Sequence, residues 1–120
     1  MNIVFIASEV FPFAKTGGLA DVCGTLPLEL AKSGHDVSII MPFYRCVGGK
    51  DLFNARANMA TLEHGVNIYF IKNKKFFDRR YLYGENMTDY PDSVERFSFF
   101  CREALELLKD LGRPVDIIHC

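Results

Sequence analysis

The chain has 120 residues, 49% of them apolar and 24% charged, the make-up of one small globular domain with enough apolar mass for a core. Fourteen basic against fifteen acidic side chains leave a net charge of −1, which excludes recruitment of nucleic acid or an anionic lipid surface by a bulk field. The N-terminus lacks the basic region of a secretory leader, no apolar run nears the roughly 20 residues of a membrane span, and cysteines at 23, 46, 101 and 120 show no CxxC or metal-ligand spacing; a soluble, cytoplasmic chain with free thiols and no metal is expected.

The first element is "NIVFIAS", residues 2–8, a continuous apolar run of strand length. Such a run suits a strand buried on both faces of a parallel sheet. The stretch "FPFAKTGGLADVCG", residues 11–24, carries the chain from this strand into an apolar-periodic segment through Leu19, Val22, Cys23, Leu26 and Leu30. That segment predicts a helix ending at Gly34, with a kink near Cys23 because Pro27 lacks the donor for its carbonyl. "DVSIIMP" is the next strand, completing a βαβ unit.

"FNARANMATL" and "VNIYFIK" flank "EHG" and predict a hairpin that elaborates the sheet edge. "KNKKFFDRR", residues 72–80, holds five cations and one anion, but acidic "ENMTDYPDSVE" follows and compensates it. A solvated loop rather than an RNA-binding patch is expected. Residues 76–91 are aromatic, charged and irregular, long enough for a functional loop. Asp92 and Glu95 have capping-box spacing ahead of a helix whose apolar stripe reads Val94, Phe97, Phe100, Cys101, Ala104, Leu108 and Leu111. Gly112 and Pro114 end it, and "VDIIHC" predicts a third parallel strand. Three such strands and two helices cover a parallel sheet incompletely, so the front part of a larger α/β fold is expected.

The residues between the first strand and first helix carry the chemistry. Amides at a helix N-terminus, with the positive end of its dipole, suit an anion. Gly17 and Gly18 let a ligand approach where a Cβ would obstruct it, and Lys15 supplies a point charge for a phosphate. The order Lys-Thr-Gly-Gly is neither a Walker A loop nor GxGxxG, and a tight turn beside an exposed lysine explains the residue types equally well. Asp21 reads either as a first-turn acid stabilised by the helix dipole or as an acceptor of sugar hydroxyls. Glu9, at the carboxyl end of the first strand, is either a second sugar contact or a strand-end residue facing water.

"ASEVFPFAKTGGLADVCGTLPLELAKSGHDVSIIMPFY", with "FFDRRYLYGENMTDYPDSVERFSFFCREALELL" and "PVDIIHC", resembles the start of the bacterial glycogen synthases and plant starch synthases, glycosyltransferase family five. The resemblance runs over nearly the whole chain. It implies a Rossmann-like parallel sheet with an inserted β-hairpin, the incomplete N-terminal lobe of a two-lobed GT-B enzyme, residues 1–120 being its acceptor-side part without the C-terminal nucleotide-binding lobe. The implied reaction moves glucose from ADP-glucose to the non-reducing end of an α-1,4-glucan, glycogen or starch, with retention and without cofactor or metal. Lys15, Gly17 and Gly18 would hold the donor diphosphate; Asp21, Tyr90 and Glu9 would face sugar or acceptor. Tyr90 reads equally well as a loop tyrosine packed on the helix. No catalytic group is assigned within these residues, and His119 is expected to be structural. Asp92-Ser93 departs from the Asp-Asn expected of the family. The chain alone is expected to be inactive; the alternative is a non-catalytic glucan-binding or regulatory module.

Overall fold

A computed structural model describes residues 1–47 and 58–120. Four parallel strands form its frame. β1 (Asn2–Ile6), β2 (Asp36–Pro42) and β4 (Asn67–Ile71) lie parallel, with β7 (Ile117–His119) parallel to β1 on its other side. β3 (Met59–Thr61) runs antiparallel to β4 at the far edge, giving the order β3-β4-β2-β1-β7. The expected hairpin is thus present from Met59 onward, with a 3-10 turn at Glu63–Gly65 in place of a tight turn; residues 53–57 of its first arm lie outside those described.

The central strands are apolar on both faces because helices and loops cover both. Ile39, Ile40 and Met41 of β2 and Ile68 of β4 are fully buried. α1 (Gly18–Lys32) packs beside β2 and inserts Ala20, Cys23, Gly24 and Pro27. It runs through Pro27 as one continuous helix. Gly34, at φ +88°, ends it as the spacing predicted.

α3 (Ser93–Leu111) packs most of its predicted stripe but leaves two of its residues outside and adds Arg96. Arg96, Phe100 and Ala104 are buried, Phe97, Phe99, Leu107, Leu108 and Leu111 pack beside them, and Val94 and Cys101 are exposed. Arg96 lies on the buried face because two backbone carbonyls accept from its guanidinium: Nε donates to Phe76 and Nη2 to Leu82, each at 2.9 Å. The capping box does not form either. Asp92 is the N-cap but makes no side-chain cap bond, because its carboxylate takes both Nη groups of Arg79, at 2.8 and 2.5 Å. Glu95 turns to Lys75 at 3.4 Å. Between β4 and α3 lie the one-turn helix α2 (Lys74–Phe77) and the two-residue strands β5 (Gly84–Glu85) and β6 (Thr88–Asp89). All three residues of β7 are exposed, and beside them Phe99, Leu105, Leu108 and Val115 line an open groove along α3.

Candidate functional site

The connection from β1 to α1 is built from the sheet outward. Phe13 is fully buried and meets Phe70 of β4 edge-on, at 5.3 Å between ring centroids. An antiparallel bridge of Val10 to Ala14 closes the intervening residues, and the Phe11 amide donates to the Ala20 carbonyl at 2.9 Å. This anchors the loop at both ends and leaves Lys15, Thr16, Gly17 and Gly18 at the surface over the N-terminus of α1.

The paired glycines answer no local demand. Neither has a positive φ, and a Cβ on either would meet nothing within 4 Å. Gly17 is the N-cap in extended backbone, with no side chain capping the helix. Gly24 is the contrasting case: a Cβ there would stand 2.6 Å from the Phe11 carbonyl oxygen, so it is glycine for packing.

The charges around the loop divide into an outer and an inner pair. Outside, Lys15 Nζ donates to both carboxylate oxygens of Asp21 at 2.7 Å, with both side chains about half exposed. Inside, Glu9 is 4% exposed and lies under the loop. Its carboxylate accepts from the Thr16 amide, from Thr16 Oγ1 at 2.6 Å, from the Gly17 amide at 3.2 Å and from Tyr83 Oη at 2.7 Å. Burial pushes the Glu9 carboxyl up, but the bonds from Thr16, Tyr83 and Gly17 outweigh it and hold the group below its ordinary value. The strand-end reading has Glu9 facing water; the carboxylate is instead buried and held by the loop and by Tyr83.

Tyr83 was not visible in the sequence as a site residue. It stands 74 positions from Glu9, in a loop that shows no periodicity. Its hydroxyl also meets Ser8 Oγ at 2.8 Å, and burial pushes its pKa well up. Tyr90, which the sequence does single out, is half-buried, its ring against the guanidiniums of Arg79 and Arg96 at 4.7 and 5.1 Å. The structure therefore gathers Lys15, Gly17, Gly18, Asp21 and Glu9 into one loop-and-helix unit, and places Tyr90 in a separate arginine stack. His119 sits on β7 with its ring 4.6 Å from that of Phe5, a packing role.

A family model described as the starch synthase catalytic domain matches residues 2–120. The chain belongs to this family. Its relatives include glycogen synthase 2 of Geobacter sulfurreducens, 43% identical over the whole chain, and the glycogen synthase of Geotalea daltonii, 46% identical. Among solved structures it is similar to the catalytic domain of starch synthase IV from Arabidopsis thaliana bound to ADP and acarbose. That similarity has a TM-score of 0.82 and 38% identity over 98% of this chain. The chain spans 28% of the length of these two bacterial relatives and 27% of the plant chain. In the starch synthase family, then, the Lys-Thr-Gly-Gly segment of this chain is an exposed turn tied from below by Glu9. Among the described residues no helix is long and apolar enough to cross a membrane, and no three His, Cys, Asp or Glu side chains converge as a metal group.

Proposed function

We propose that this chain is the N-terminal, acceptor-side part of a glycogen or starch synthase, a two-lobed glucosyltransferase working in the cytoplasm. It would transfer glucose from ADP-glucose to the non-reducing end of an α-1,4-glucan, with retention. The observation that carries the reading is the pair Gly17 and Gly18: neither backbone conformation nor packing requires a glycine at either position, and the space a Cβ would take is open. That space lies at the N-terminus of α1, where helix amides and dipole favour an anion, with Lys15 alongside.

Lys15 would exchange Asp21 for the donor diphosphate and neutralise the charge that grows as ADP departs, an interaction strongest in the transition state. Asp21, released, would accept hydrogen bonds from the transferred glucose or the acceptor. Tyr90 would offer an acceptor the surface its arginine neighbours leave exposed. Membership of the starch synthase catalytic domain family, and a structural relative whose description includes ADP and acarbose, support this donor and acceptor class.

A loop on one lobe binds such a donor weakly, on the order of millimolar, or about −4 kcal/mol. ADP titrated into the 15N-labelled chain should therefore shift the amides of residues 15–19 at millimolar concentration, and Lys15→Gln should abolish the response. Glucan extension by these 120 residues alone, or no shift at tens of millimolar ADP, would sink the reading.

A further inference from the structure

We propose that Tyr83 is a positioning residue for the Gly-Gly loop, acting through Glu9. Three of the four hydrogen bonds that Glu9 accepts come from the loop itself; the fourth, from Tyr83, comes from the segment after α2. With Ser8 Oγ on its hydroxyl as well, at 2.8 Å, Tyr83 is held from two sides where residues 78–90 meet the loop's underside. The backbone carrying it is fixed in turn. Arg96 is fully buried on α3 and donates to the carbonyl of Leu82, the residue before Tyr83. A continuous path thus runs from α3 through Leu82, Tyr83 and Glu9 to the amides of Thr16 and Gly17. A phenylalanine at 83 would fill the same space and stack on Phe97, 5.8 Å away, yet could not donate to the carboxylate. The hydroxyl is the part that fixes which way Glu9, and so the loop, is held.

The groups facing Glu9 make its titration readable. Cys23 of α1 and Tyr44 after β2 feel its charge, and burial raises the pKa of both, so they stay protonated through the acid range. Tyr83 does the same, and Arg96 stays cationic. Asp21, paired with Lys15, is the other carboxylate beside the loop, and an Asp21→Asn background removes it from the titration.

The experiment follows the Thr16 and Gly17 amide resonances of the full chain in that background, from pH 7 to pH 3, with and without Tyr83→Phe. Losing a donor to a carboxylate should raise the midpoint of their acid transition by on the order of one pH unit. It should also speed hydrogen exchange of both amides about tenfold. Ser8→Ala, which frees the hydroxyl without removing it, should move the midpoint the same way by less. A Tyr83→Phe chain that folds with midpoint and exchange unchanged overturns the proposal, as does a Ser8→Ala shift larger than that of Tyr83→Phe.

The inference deepens the donor-site reading, and ADP separates the two. If the loop holds the diphosphate, Tyr83→Phe weakens ADP binding several-fold in step with the faster exchange. If the wild-type chain ignores ADP while the Tyr83-dependent amide shift persists, the donor reading fails and the positioning role stands.

Discussion

Asp21 holds the Lys15 ammonium at 2.7 Å from both of its carboxylate oxygens. The cation best placed to meet a phosphate is thus already paired, within the unit that would bind one. A ligand phosphate has to displace this carboxylate, and the side chains are exposed enough for water to make the exchange inexpensive. Asp21→Asn should change stability by no more than about 0.5 kcal/mol, yet strengthen ADP binding by the isolated chain a few-fold. Weaker binding in an ADP titration of the variant would mean that Asp21 does not restrain the lysine.

The three glycines of this segment should separate stability from binding. Gly24→Ala drives a Cβ to 2.6 Å from a backbone oxygen and should cost about 1–3 kcal/mol in urea unfolding. Gly18→Ala, at the first position of α1 with open space around it, should leave stability unchanged or raise it by up to about 1 kcal/mol while weakening ADP binding. Equal destabilisation by both substitutions would show that the loop glycines serve packing after all.

Acid should loosen the structure through two carboxylates. Hydrogen bonds from Thr16, Tyr83 and Gly17 hold Glu9 below its ordinary value of 4.5, and Arg79 holds Asp92 below 3.8. A carboxylate depressed by folding contributes stability fully above its unfolded-state pKa and loses it as pH falls through the folded one. The urea midpoint should therefore be level above about pH 5 and fall below pH 4.5, in the range set by these two groups. Glu9→Gln with Asp92→Asn should flatten that limb; an unchanged limb would assign it to other groups.

Arg96 should be a stability residue and Tyr90 its companion. Arg96→Met leaves the buried carbonyl of Phe76 and the part-buried carbonyl of Leu82 without this donor, at a cost of about 2–3 kcal/mol. Tyr90→Ala removes the ring between two guanidinium groups and should cost less, because the residue is half exposed. On a glycogen affinity gel Tyr90→Ala should also elute earlier than wild type; co-elution would confine Tyr90 to packing.

What could be read from sequence divides along the distance over which the determinants act. β1, α1 and β2 are each set by their own apolar period and by local stops such as Gly34, so spacing predicts them closely. The loop after β1 was legible as a surface turn at a helix start because lysine, glycines and helix start are contiguous. Glu9 was legible as a strand-end acid but not as the loop's support, since its partner Tyr83 lies far along the chain. The same holds for Asp92: its spacing to Glu95 is that of a capping box, and only the fold brings Arg79 to compete for the carboxylate. On α3 most of the predicted stripe is packed, but Arg96 was missed because the apolar pattern ranks an arginine outward, whereas two carbonyls of the preceding segment hold it inward.

β7 carries a hazard of its own. Among the described strands it pairs with β1, and its Ile117 and Ile118 are each more than two-fifths exposed in these 120 residues. An apolar rim of this kind templates the addition of any extended segment, including the same strand from another molecule. For these 120 residues taken by themselves, Ile118→Lys should therefore raise the concentration at which light scattering first reports aggregates, while leaving the chemistry around Lys15 untouched.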